Sequence, residues 1–222
     1  MSSDCFRLLD FNVIDKIDQN LVFHMQIFGI NELGETCSIY IKDYNPFIYI
    51  KIGESWGQPE ISKFKGNLCD ALGNFKHGIL SIELEEHKTL YQFDNGKKHQ
   101  FLKITCKHNV TIQKIKKLYY DSMSQELIDG LDLEGELTYL YESQVPPMLR
   151  YFHLQKISPS GWIYVKQPIV VKKKTTSCKY EYIVKNTNVI AMPDKEIGVP
   201  YKICSFDIEA SSSHGDFLLP QK

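Results

Sequence analysis

The 222-residue sequence predicts an α+β fold dominated by strands. Three observations carry that prediction. Runs of β-branched and aromatic residues alternate with polar ones through most of the chain. Three shorter stretches instead space their apolar residues as helices do. Between two of the strand-like runs, Asp94-Asn95-Gly96-Lys97 carries a strong hairpin signal.

Residues 5–15 read as a first strand. Leu21 to Ile30 is a stronger one, closed by Asn31-Glu32-Leu33-Gly34, with Glu35 to Lys42 as its hairpin partner. Asp43-Tyr44-Asn45-Pro46 makes a turn into a strand at Phe47 to Ile52. Ile61, Phe64, Leu68, Leu72 and Phe75 then recur at three- and four-residue spacing, predicting a helix from about Pro59 to Asn74. Ile79 to Glu86 is a strand that continues through Phe93, and Gln100 to Cys106 returns beside it. Val110 to Leu118 is a second helix, with Thr111 or Asn109 as its N-cap. Ser122 to Gly135 is acidic, helix or loop. A strand at Leu137 to Tyr141 completes β-α-β-β-α-β, a ferredoxin-like unit over about 47–141. The RNA-recognition motif shares that topology, and in it Tyr49 and Phe101 would be placed to stack bases. Packing under the helices is the more frequent fate of such residues.

Ser143 can cap a third helix that Pro146 and Pro147 open. Arg150 is expected to pair with Glu142 or another acid, and Trp162 to lie in the core. Residues 163–171 and 178–190 read as two strands around a Lys172-Lys173-Lys174 turn. Ala191 to Pro200 is a connector.

Composition is that of an ordinary soluble domain, with 43% hydrophobic and 24% charged residues and a net charge of −1. Near-zero charge argues against a strongly basic nucleic-acid binder, but the charge is segregated. From Lys97 to Lys117 there are seven lysines and no acid; from Asp121 to Glu142 there are seven acids and no lysine or arginine. Lys97, Lys98, Lys103 and the Lys172, Lys173, Lys174 turn are therefore candidate phosphate contacts, weighed against plain solvated faces. The six cysteines show no Cys-x-x-Cys spacing, so they read as reduced thiols of an intracellular protein. Neither a signal peptide nor a membrane-spanning run is recognisable, and no membrane partner is expected.

Tyr201 to Ile208 reads as a short buried strand running into a Ser/Gly/His loop. Asp207 and Glu209 sit near its end, two residues apart and so on one face. Two adjacent carboxylates repel unless a cation joins them, and oxygen-only ligands suit Mg²⁺ or Mn²⁺. Paired ions of this kind cut phosphodiesters.

The stretch from Phe206 to Phe217 (FDIEASSSHGDF) resembles the first exonuclease motif of the family B DNA polymerases. It looks most like the delta-type enzymes of large nucleocytoplasmic DNA viruses. Asp43 to Ile52, Tyr141-Glu142-Ser143, Leu149-Arg150-Tyr151 and Gly161-Trp162-Ile163 are similar to the same family, in the family's order. Leu218-Leu219 stand before Pro220, where the family usually places proline soon after Gly-Asp-Phe. The resemblance implies a polymerase N-terminal domain over 1–198. From 199 to 222 it implies the start of a ribonuclease-H-like 3′→5′ proofreading domain. Asp207 and Glu209 would be two of its metal-binding acids, serving two Mg²⁺ (or Mn²⁺) ions in the complete site. The implied partners are DNA (template-primer and a single-stranded 3′ end), the rest of the polymerase chain and a sliding clamp. The implied location is intracellular, in a viral replication compartment of host cytoplasm or nucleus if the source is a virus. The later exonuclease motifs and the polymerase palm motifs do not occur, so the chain alone is expected to be inactive. The alternative is a non-catalytic module that binds single-stranded nucleic acid.

Overall fold

The computed structural model describes residues 4–18, 20–89, 95–120, 131–133 and 136–207. Two sheets organise them. The chain begins with β1 (Cys5–Asp18), β2 (Asn20–Ile30), β3 (Thr36–Lys42) and β4 (Phe47–Lys51). Helix α1 (Gln58–Leu72) follows, then a 3₁₀ segment at Gly73–Gly78, β5 (Ile79–Lys88), β6 (Lys98–Cys106) and α2 (Asn109–Lys116). Two short strands, β7 (Asp132–Leu133) and β8 (Glu136–Leu137), pair with each other before β9 (Tyr139–Tyr141). Helix α3 (Pro147–Gln155) leads to β10 (Trp162–Val165), β11 (Ile169–Val170), β12 (Tyr180–Lys185) and β13 (Val189–Met192).

The larger sheet has seven strands in the order β11-β12-β3-β2-β1-β10-β13. All its pairs are antiparallel except β12 with β3. Its core gathers Phe6, Met25, Ile27, Ile39 and Ile163 with Tyr151 and Phe152 of α3. Phe152 meets Phe11 edge-on at 4.7 Å, and Tyr151 meets Tyr44 at 5.1 Å. The smaller sheet runs β5-β6-β4-β9, every pair antiparallel. Strand alternation turns Ile48, Ile50, Leu102 and Ile104 to one face, where Ile61, Phe64 and Leu68 of α1 and Ile112 and Ile115 of α2 cover them. The Asn95-Gly96 turn joins β5 to β6 with both residues at positive φ (60° and 74°), the geometry its sequence demands.

The two sheets are joined by polar contacts. The Asp15 carboxylate of β1 accepts hydrogen bonds from the N–H groups of Asn109 and Val110 at the start of α2 (3.1 and 3.0 Å). Phe23 N–H donates to the Lys107 carbonyl at 3.3 Å.

Several local expectations need correction. The N-cap of α2 is His108, whose Nδ1 accepts from Thr111 N–H at 3.2 Å; neither Thr111 nor Asn109 fills that place. Helix α3 begins after Pro146 with no side-chain cap, so Ser143 does not cap it. The run 163–171 is two strands in different parts of the sheet. Gln167 takes a left-handed φ of 50° and Pro168 has no N–H, so the chain leaves β10 and crosses to the far edge as β11. A 3₁₀ turn at Asn186–Asn188 likewise divides 178–190 into β12 and β13. Residues 201–207 form no strand and are exposed, with Ile203 at 90% and Phe206 at 79%. A strand exists only beside a partner, and no described strand lies against this segment. The stretches 122–130 and 208–222 lie outside the described residues, Glu209 with them.

Candidate functional site

Asp207 stands on an exposed segment without helix or strand. That segment is anchored upstream. Trp162, 3% exposed, donates from Nε1 to the Ile197 carbonyl at 2.9 Å, and Lys195 lies over its ring at 4.2 Å. Arg7 Nη1 reaches the same carbonyl at 3.5 Å. Trp162 is thus a core residue, as its sequence context suggested. Among the described residues no three His, Cys, Asp or Glu side chains gather closely enough to hold a metal. The carboxylate donors of Asp207 and Glu209 suit a hard divalent ion in kind.

The candidate lysines fall into separate groups. Lys97 is ion-paired with Glu54 at 2.6 Å, and Lys103 with Glu85 at 3.0 Å. Lys103 also lies over the Phe47 ring at 4.8 Å. By strand alternation Lys98 falls on the opposite face of β6 from Lys103. Lys172 to Lys174 occupy the other sheet's β11–β12 turn. There Lys174 donates to the carbonyls of Cys178 (3.0 Å) and Lys179 (3.4 Å). The structure does not bring these lysines together into one patch.

It does bring together a group that sequence reasoning only partly named. Residues 47, 49, 101 and 141 alternate with the core positions of β4, β6 and β9, so they lie on the face without α1 and α2. Phe47 and Tyr49 meet at 5.5 Å, Tyr49 and Phe101 at 6.1 Å, Phe101 and Tyr141 at 5.2 Å, all edge to face. Helix α3 stands over this surface, and between them is a cavity of about 610 Å³. Arg150 of α3 borders it. Its guanidinium donates through Nη1 to the Glu142 carboxylate and through Nη2 to the Glu142 carbonyl at 2.7 Å. It lies 4.4 Å over the Phe47 ring and is only 6% exposed. Among the described residues its Nε–H has no acceptor. The Arg150–Glu142 pair was legible in the sequence. The cavity was not, because β5 supplies His87, β9 supplies Tyr141 and α3 supplies Leu149 and Arg150. Tyr49 donates to Glu85 at 3.2 Å; burial foremost, with that carboxylate beside it, pushes the phenol up to about 12.

Comparison with known proteins places these features. A family model described as "DNA polymerase family B, exonuclease domain" matches residues 138–222, from just before β9 onward. A DNA polymerase of Phaeocystis pouchetii virus is 40% identical over 98% of this chain, which covers 23% of that relative. A DNA polymerase of Pyramimonas orientalis virus is 26% identical over 98% of the chain and 18% of the relative. The DNA polymerase delta catalytic subunit of Dictyostelium discoideum is 20% identical over 89% of the chain. The chain spans less than a quarter of the length of each of these relatives. Among solved structures, the family B DNA polymerase of Pyrobaculum calidifontis superposes with a TM-score of 0.56. That match covers 89% of this chain and 21% of the other, at 18% identity. The chain is thus similar in sequence over nearly its whole length to viral DNA polymerases, and in residues 138–222 to the family B exonuclease domain, and its fold is similar to that of a family B DNA polymerase.

Proposed function

We propose that this chain works as the N-terminal portion of a replicative DNA-directed DNA polymerase with 3′→5′ proofreading. The observation that carries the proposal is the match of residues 138–222, which include Asp207 and Glu209, to the family B exonuclease domain. On this reading residues 1–198 form the polymerase N-terminal domain. Residues 199–222 open a ribonuclease-H-like exonuclease domain, in which 201–208 pairs as a strand once its neighbours are present. The module over about 47–141 is ferredoxin-like; the antiparallel order β5-β6-β4-β9 with α1 and α2 on one face supports that.

Asp207 and Glu209 would hold divalent ions, Mg²⁺ or Mn²⁺, two in the complete site. A bound ion there supplies Lewis-acid activation of water against the terminal phosphodiester. The carboxylates themselves bind and orient. Two acids are too few to ligate two ions, so the remaining ligands come from elsewhere in a polymerase chain, and 1–222 alone is inactive. The partners on this reading are template-primer DNA, its single-stranded 3′ end, the rest of the polymerase and a sliding clamp. The place of action is intracellular. No helix among the described residues is long and apolar enough to cross a membrane. The lysine groups contribute phosphate contacts on the approach to the site.

The test uses Asp207→Ala and Glu209→Ala in a polymerase that contains this segment. Removal of a mismatched 3′ nucleotide should fall by orders of magnitude while primer extension persists. Mg²⁺-dependent degradation of single-stranded DNA by purified 1–222, abolished by Asp207→Ala, would defeat the proposal. A second reading, a module that only binds single strands, is favoured by the aromatic cavity under α3. It predicts salt-sensitive binding that survives Asp207→Ala and weakens when Lys97, Lys98 and Lys103 are neutralised.

A further inference from the structure

We infer that the cavity between the helix-free face of the four-stranded sheet and α3 is a receptor for one unstacked nucleobase of single-stranded DNA. This rests on the reading above only in taking DNA as the polymer handled; it does not involve Asp207 or Glu209.

Size comes first. About 610 Å³ lies within the roughly 300–1,000 Å³ of sites that engulf small organic molecules. Wall chemistry comes next. One side is the edge-to-face set Tyr49, Phe101 and Tyr141; the other is the exposed Leu149 and Leu154 of α3. A flat heteroaromatic ring is the ligand that such a pair of walls accepts on both of its faces.

An apolar ligand alone would leave the third observation unexplained. Arg150 borders the cavity, is 94% buried, and has an Nε–H with no acceptor among the described residues although its other nitrogens are engaged by Glu142. A buried donor without a partner is costly, and native structures usually satisfy it. A base carbonyl, a ring nitrogen or a phosphate oxygen can supply the acceptor. Because Glu142 already offsets the guanidinium charge, an anion on its own gains little here. A flat ring bearing acceptors gains from both the walls and the donor. Lys88, exposed at the rim, is placed to meet the backbone phosphate that follows such a base.

A free nucleotide offers the same chemistry as a base within a strand, so the experiment separates the two. Fluorescence anisotropy of the chain carrying Asp207→Ala, in chelator, is measured with a short labelled oligothymidylate and with an abasic strand of equal phosphate count. The base-bearing strand should bind about tenfold tighter. Leu154→Trp, at a site 56% exposed, should fill the mouth and remove that difference, and Tyr49→Leu should reduce it. Thermal melts of both variants establish that they are folded. Unlabelled dTMP then competes. Displacement shows that the pocket takes a free nucleotide; failure to displace shows that it needs the strand. Equal affinity for base-bearing and abasic strands overturns the inference, as does undiminished discrimination in the folded Leu154→Trp and Tyr49→Leu chains. Because divalent ions are absent and Asp207 is removed, neither outcome depends on the exonuclease proposal.

Discussion

The Glu181 carboxylate, 2% exposed, accepts hydrogen bonds from both the N–H and the hydroxyl of Thr176, at 3.1 and 2.9 Å. Thr175 donates in the same way, from its N–H at 3.1 and 3.2 Å and its hydroxyl at 3.0 Å. One buried acid on β12 therefore organises the turn that carries Lys172 to Lys174. Burial works against ionisation of Glu181, but the donors from Thr176 and Thr175 prevail and hold its carboxyl below the usual range. Glu181→Ala strands these donors and should cost about 2 kcal/mol in denaturant unfolding, since charged hydrogen bonds are worth about 1.5–3 kcal/mol net. Thr176→Val should cost about half as much, near 1 kcal/mol. An unchanged midpoint in Glu181→Ala would mean the turn is solvated and self-supporting.

Gly78 closes the 3₁₀ segment where it packs on α2. A Cβ built there would lie 2.0 Å from Thr111 Oγ1 and 2.9 Å from the His108 ring. His108 and Thr111 form the α2 cap, so they cannot yield without loosening the helix. Gly78→Ala should therefore destabilise by about 1–3 kcal/mol, the usual range for overpacking. Adding Thr111→Ala should restore part of the loss, and a double-mutant cycle reads that coupling.

Glu35 gives a pH-dependent prediction. Lys179 donates to its carboxylate, as do Asn31 at 2.9 Å and Tyr180 at 2.8 Å. Lys179 foremost, then Asn31 and Tyr180, lower its pKa from 4.5 to about 2. A depressed carboxyl stabilises the fold above its unfolded value and loses that contribution as pH falls through the folded one. The melting-temperature gap between the natural chain and Glu35→Gln should be full at neutral pH. It should close as the pH drops from 4.5 towards about 2. A gap that persists below that window would assign the difference to packing rather than charge.

Asp15 joins the two sheets through the first N–H groups of α2. Negative charge at a helix N-terminus and a capping carboxylate act in the same direction. Asp15→Ala should cost about 1 kcal/mol. Amide exchange should accelerate at Asn109 and Val110 before it does in β1, because the bond lost is theirs. Uniform acceleration through β1 would instead mark Asp15 as a strand-stability residue.

The local elements were legible wherever one periodicity decided them. The spacing of Ile61, Phe64, Leu68 and Leu72 gave α1 within two residues of its ends. Alternation gave β3 and β4, and Asn95-Gly96 gave the β5–β6 turn. The order of strands and helices between Phe47 and Tyr141 was also readable, apart from the short β7–β8 pair, since each segment's own periodicity sets its type. The Arg150–Glu142 contact was within reach because only eight residues separate the two.

By itself, then, the sequence determined most local elements and a similarity to family B DNA polymerases, and it set Asp207 and Glu209 two residues apart. Those depend on residue type and short spacing. Only the tertiary structure decided that β12 joins β3 in parallel, and that 163–171 divides between an inner strand, β10, and the far edge strand, β11, of one sheet. It also decided that Tyr49, Phe101 and Tyr141 meet α3 across a cavity. Such contacts depend on which distant backbones run side by side, and no local pattern encodes that. Residues 201–207 mark the same limit from the other side. They carry strand chemistry, but with no strand beside them among the described residues they form none and lie exposed.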